Sequence, residues 1–160
     1  MHTHRQPNSA QCFVCGLQNP FGLHLHFFDN GIDEVRCEYT IPEQFQGYPG
    51  IAHGGIVAAM LDEAIGRVSM IGDPLHFMMT ATMELKYRLP VPLNTPLTLL
   101  ARKLKDRGRI VKAEGAIYLP DGAIAVEGSL TLVDLPSQFI VNEEAAERLG
   151  WKVYQDEGMK

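Results

Sequence analysis

From Gly50 to Met70 the chain reads GIAHGGIVAAMLDEAIGRVSM, apolar or small at nearly every position apart from His53, Asp62, Glu63 and Arg67. The stretch is about five turns long at 3.6 residues per turn, which predicts one long central helix. A helix that is apolar around nearly its whole circumference belongs inside a domain.

Elsewhere the period is two, the mark of half-buried strands. Leu23, Leu25 and Phe27 alternate with His24, His26 and Phe28. After the turn signal Asp29-Asn30-Gly31, the alternation continues through Val35, Cys37 and Tyr39, so these segments read as a hairpin. Gly72-Asp73-Pro74 stops the helix. Ala81, Met83, Leu85, Tyr87 and Leu89 then define a core face opposite Thr80, Thr82, Glu84, Lys86 and Arg88. Beyond the bend marked by Pro90, Pro92 and Pro96 come strands from Leu97 to about Lys105, Ile110 to Leu119 and Ala123 to Asp134. The turns Asp106-Arg107-Gly108-Arg109 and Asp121-Gly122 join them into an antiparallel meander. Asn142 caps a short C-terminal helix that carries Glu143 and Glu144 in its first turn and ends at Gly150. Trp151 and Val153 follow it and dock on the sheet.

These elements predict an α+β fold, an antiparallel sheet of about six strands curled around one long helix, with residues 12–160 as a single domain. Residues 1–11 are polar and are expected to form a disordered tail. One sheet cannot cover a helix apolar on all sides. The expected remedy is a homodimer, with helices meeting or sheets joining edge to edge, and possibly a dimer of dimers.

Composition narrows the function classes. With 46% hydrophobic and 21% charged residues the chain is ordinary for a globular protein, and its net charge of −5 argues against nucleic acid as a partner. Charged residues interrupt the only long apolar stretch, so no membrane span is expected. The polar start Met-His-Thr-His-Arg has no apolar signal region, and three cysteines provide no disulfide framework; both point to the cytoplasm. Cys12 and Cys15 form a Cys-x-x-Cys without a second pair, so buried thiols are expected and no metal. His24 and His26 lack a third ligand and read as surface or interface residues. Between Lys86 and Lys112 lie eight of the fourteen Lys and Arg residues. They form either solvated strand faces or a cradle for a small phosphorylated ligand.

The candidate chemistry sits on the helix. A carboxylate among Ala58, Ala59, Met60, Leu61, Ala64 and Ile65 loses several kcal/mol of hydration unless it is paired or hydrogen-bonded. Asp62 shares a face with the small residues Gly55, Ala58, Ala59, Gly66 and Ser69, where another helix or a substrate fits. The first turn presents free N–H groups and the positive end of the helix dipole, and Gly54 and Gly55 let a ligand approach closely. Glu63 points about 100° away from Asp62, and Arg67 stands at i,i+4 to pair with it. Asp62 is therefore either a functional carboxylate or a paired, buried one that fixes a dimer interface.

Several motifs recur together in a known family. Gly47-Tyr48-Pro49-Gly50-x-x-His53-Gly54-Gly55 is followed by Asp62, then Met79-Thr80-Ala81 and Tyr87-x-x-Pro90-x-Pro92; Cys12-Phe-x-Cys15-Gly, Asn19-Pro20 and Gly22-Leu23 precede them. In this order they resemble the hotdog-fold acyl-CoA thioesterases, particularly the phenylacetate-degradation type and its mammalian mitochondrial relatives, from about Cys12 to Asp134. The resemblance implies thioester hydrolysis of a small-to-medium acyl-CoA without a cofactor. Asp62 is then general base or nucleophile, and the Gly55 N–H polarises the carbonyl. His53 orients the loop and Thr80 stands near the reacting water. Gly54, Lys86, Arg107 and Arg109 contact the substrate, the basic ones through coenzyme A phosphates. It also implies that Asp62 and Gly55 serving one substrate come from different subunits. The alternative is a non-catalytic module of the same fold that binds or senses acyl-CoA. A hydratase is disfavoured because it would want a His a few residues after Asp62, and His76 lies beyond Pro74.

Overall fold

The computed structural model describes residues 1–139 and 141–154. Its strands are β1 (His4–Arg5), β2 (Phe28–Asp29), β3 (Glu34–Thr40), β4 (Met78–Tyr87), β5 (Pro96–Asp106), β6 (Ile110–Tyr118) and β7 (Ile124–Asp134). Its α-helices are α1 (Gly54–Gly66) and α2 (Glu143–Arg148). The strands form one antiparallel sheet in the order β1-β2-β3-β5-β6-β7-β4. The β5-β6-β7 meander occupies its middle, as the turn residues predict, and β4 forms one edge.

Helix α1 lies against the sheet with Val57, Met60, Leu61, Ala64 and Ile65 buried. They meet the inward positions of the strands, among them Val35, Leu99, Val111, Ile117, Val126 and Leu132, in one core. The helix side chain Ile65 sits close over Gly115, where an added Cβ would stand 2.7 Å from Ile65 Cγ1 and 2.9 Å from the Leu100 carbonyl oxygen. Any larger residue there would push the helix away.

Several expectations are corrected. The helix begins at Gly54, because His53 is its N-cap, and it tightens into a 3-10 turn over Arg67–Met70. Such tightening is common at helix ends. Nor is α1 enclosed on every side: Gly54 and Gly55 are exposed, and Ala58, Ala59 and Asp62 are half-buried. Leu23, Leu25 and Phe27 are buried as read. Their backbone bonds, however, run to the N-terminal segment (Leu23 N–H to Phe13 O, Leu25 N–H to Val14 O, Gln6 N–H to Phe27 O), so only Phe28 and Asp29 pair with β3.

That N-terminal segment is itself packed, in contrast to the tail expected of residues 1–11. Asn8 is fully buried, and its Nδ2 donates to the carbonyls of Cys15 at 2.7 Å and Leu25 at 2.8 Å. A polar side chain that satisfies two buried backbone acceptors is structural glue, which composition cannot distinguish from a solvated one.

The face assignment of β4 also changes. Thr80 pairs with Leu132 and Thr82 with Thr131, so a bulge at Ala81 shifts the phase of the strand. Thr80 thereby joins Met83, Leu85 and Tyr87 on the side that faces α1, instead of the wet side on which simple alternation puts it. A bulge re-aims a side chain in just this way.

Candidate active site

Asp62 leaves α1 toward β4, and Thr80 Oγ1 donates a hydrogen bond of 2.7 Å to its Oδ1. The two residues line a cavity of about 620 Å³ whose walls include Cys12, Met70, Phe77, Met79 and Trp151. The walls are mainly apolar, and the carboxylate is the acidic group that stands against Thr80. Phe77 and Trp151 form a wall from two separate segments, their rings 4.9 Å apart and the indole N–H bonded to Pro74 O. The sequence reading did not single out Phe77, and it placed Trp151 only on the sheet. No local pattern marks either as a cavity wall, because the segments meet only through the docking of the C-terminus.

At the other end of the helix, His53 Nδ1 accepts a 3.0 Å hydrogen bond from Gly55 N–H. The N–H groups of Ile56 and Val57 bond to His53 O. The imidazole therefore holds its lone pair on Nδ1, and in the neutral ring the proton is on Nε2. This corrects the expectation of a free Gly55 amide: within the chain it is engaged by the cap. Tyr87 Oη donates to Gly54 O at 2.7 Å and ties the helix start to β4. His53, Gly54 and Gly55 are all exposed.

Asp62 and Gly55 are seven residues apart on one helix, an axial rise of about 10 Å. The basic candidates are also separated. Lys86 pairs with Glu127 of β7, whereas the β5–β6 turn carrying Arg107 and Arg109 lies beside Val133. Six residues of strand, about 20 Å, stand between them. The Arg109 side chain is exposed, with Asp134 at 3.7 Å, and that of Lys86 is exposed with Glu84 at 3.9 Å.

Beside Asp62 the second carboxylate is tied off as the i,i+4 spacing predicts. Glu63 Oε1 accepts from Arg67 Nε at 3.0 Å and Nη2 at 2.9 Å. Arg67 is almost fully buried. Its guanidinium lies 4.5 Å from the Phe27 ring centre and 5.0 Å from that of Trp151, and its Nη1 donates to Pro7 O.

The thioesterase superfamily model matches residues 49–126, the span from the His53-Gly54-Gly55 loop into β7. Together with the curled antiparallel sheet around α1, which is the hotdog fold, this match makes the chain similar to the thioesterase superfamily over just under half of its length. Among curated proteins it is 34% identical over 104 residues to the acyl-coenzyme A thioesterase THEM4 of Bos taurus, covering 64% of this chain and 41% of that one. The chain thus spans less than half the length of this relative. Among solved structures, the thioesterase superfamily protein RHA08564 superposes with a TM-score of 0.69 at 31% identity, covering 77% of this chain and 60% of that chain. The protein smu.793 of Streptococcus mutans, bound to acetyl CoA, superposes with a TM-score of 0.59 at 18% identity over 64% of this chain and 81% of that one.

Proposed function

We propose that the protein hydrolyses the thioester of a small-to-medium acyl-CoA. The observation that carries this reading is Asp62, held by Thr80 at 2.7 Å on the wall of a largely apolar cavity. Thr80 occupies Oδ1 and leaves Oδ2 to accept the proton of a water that attacks the thioester carbon. The tetrahedral intermediate collapses with cleavage of the C–S bond, the coenzyme A thiolate takes up a proton, and a carboxylic acid is released. General-base catalysis of this kind contributes about 10²- to 10⁴-fold.

The carbonyl oxygen is polarised by Gly55 N–H at the positive end of α1. Because that amide rests on His53 Nδ1, the imidazole yields it to the thioester oxygen when substrate binds. A separation of about 10 Å keeps Asp62 and Gly55 of one chain from acting on the same carbonyl, so the site is completed by a second copy. Edge strand β4 is the joining surface in this reading, since it exposes Met79, Met83 and Tyr87 beside an unpaired backbone edge. Lys86 and the pair Arg107 and Arg109, too far apart within one chain, contact coenzyme A phosphates from different subunits.

The test is release of free thiol from a panel of acyl-CoAs by the wild type and Asp62→Asn. The variant is expected to lose about 10²- to 10⁴-fold in kcat; equal rates overturn the assignment. Single turnover in ¹⁸O water separates base from nucleophile, because only a covalent anhydride at Asp62 puts label into the protein. The engaged Gly55 amide favours the second reading, a module that binds acyl-CoA without hydrolysing it. Tight binding with no turnover on any member of the panel would establish that alternative.

A further inference from the structure

The Cys-x-x-Cys motif lacks a second cysteine pair, and on that ground no metal was expected. The fold supplies a third donor from elsewhere. Sγ of Cys12, Sγ of Cys15 and a carboxylate oxygen of Glu63 all lie within 4.8 Å of one another. Cys12 Sγ stands 3.7 Å from Glu63 Oε2. One tetrahedral zinc ion, with Zn–S about 2.3 Å and Zn–O about 2.0 Å, holds a sulfur and an oxygen roughly 3.5 Å apart. The Glu63 oxygen that faces the thiol is not the one bonded to Arg67, which grips Oε1 through two N–H groups. Arg67 thus fixes the carboxylate while leaving Oε2 available.

We propose that Cys12, Cys15 and Glu63 bind a zinc-class divalent cation, with its fourth coordination position open to the cavity that also contains Asp62. Two thiolates select a borderline-soft cation over magnesium or calcium, which take oxygen ligands. Charge balance favours the same occupant. With both thiols protonated and no metal, the thiols and the Glu63–Arg67 pair sum to zero. Two thiolates, one carboxylate, one guanidinium and one divalent cation also sum to zero, so loading leaves no net charge in a half-buried site. The protons still held by Cys12 and Cys15 leave to solvent as the two metal–sulfur bonds form.

The loop is shaped for a thiolate at Cys12. Its Sγ accepts N–H bonds from Val14 at 3.3 Å and Cys15 at 3.5 Å. Backbone N–H groups that point at a ligand sulfur stabilise the thiolate and orient it toward the metal. Both cysteines and Glu63 line the cavity, which is the entry path.

The experiment is anaerobic titration of the reduced, metal-free protein with Co²⁺, followed by displacement with Zn²⁺. One equivalent of Co²⁺ should produce near-ultraviolet sulfur-to-cobalt charge transfer and the intense visible bands of a tetrahedral site, and Zn²⁺ should erase both. Cys12→Ser and Cys15→Ser should abolish the charge transfer, while Glu63→Gln should weaken binding at least tenfold. Asp62→Asn should bind Co²⁺ as the wild type does, which separates this site from the catalytic one. A featureless spectrum with the wild type overturns the proposal. So does Glu63→Gln binding as tightly as wild type, since two thiols alone would then account for the contact. The cysteine variants keep the test decisive if Glu63→Gln does not fold.

Discussion

Asp62 and Glu63 are neighbours on one helix, yet the fold treats them oppositely. Asp62 turns onto the small-residue face, receives a hydrogen bond on Oδ1 from a neutral hydroxyl, and stands on a cavity wall with no partner for Oδ2 among the described residues. Glu63 turns toward the N-terminal segment, where a buried guanidinium stacked between Phe27 and Trp151 holds one of its oxygens twice. Both are partly screened from water, so burial alone does not separate function from structure. The partner does. Glu63 is committed to a fixed cation, whereas Asp62 is held by a neutral hydroxyl.

The comparison predicts a crossed pattern of variants. Asp62→Asn should lose about 10²- to 10⁴-fold in kcat on acyl-CoA, with its urea midpoint close to that of the wild type. Glu63→Ala should show the reverse in the same two assays. Removing it leaves the Arg67 charge buried against Pro7 O and two aromatic faces among the described residues, which should cost about 2–3 kcal/mol in urea denaturation. Its kcat per folded molecule should stay within severalfold of wild type. If Glu63→Ala instead abolished turnover without loss of stability, the two roles would have to be exchanged.

Thr80→Val tests the smaller contrast between a hydroxyl and a guanidinium partner. Loss of a hydrogen bond to a charged group is worth about 1.5–3 kcal/mol, so kcat should fall about 10- to 150-fold, visible as an unchanged KM with reduced kcat. The mildest effect concerns Cys12. Its alkylation by iodoacetamide should follow pH with a midpoint of about 7, against 9.0 for an ordinary cysteine, since the folded chain favours its thiolate. The rate should therefore be high above that midpoint and fall as pH drops through it. Cys15→Ala removes the largest cause of the shift and should move the midpoint upward. An unmoved midpoint would show that the backbone amides alone hold the thiolate.

Much of this was legible along the chain because it is encoded at short range. The helix period, the two-residue alternation and the turn residues of the β5-β6-β7 meander predicted the main elements to within a few residues. The Glu63–Arg67 pair is a single-turn relation, and the Asn142 cap of α2 is likewise local. The His53 side chain caps α1 through Gly55 N–H, the amide proposed for catalysis, another contact between residues two apart.

What only the tertiary structure decided involves phase or long separation. A single extra residue at Ala81 reverses which face Thr80 presents, and nothing in the alternation of β4 marks it, because a bulge is a property of two paired strands. The packing of residues 4–10 depends on backbone acceptors left open by the turn after Cys12 and by Leu25, so a polar segment that reads as a loose tail becomes part of the core. The third donor beside Cys12 and Cys15 comes from 51 residues further along the chain than Cys12. Local sequence thus set the elements and the two carboxylates, since periodicity and capping act within a few residues. The partner of each carboxylate was chosen by folding, since β4 supplies Thr80 and the N-terminal loop supplies the thiols only once both have docked on α1.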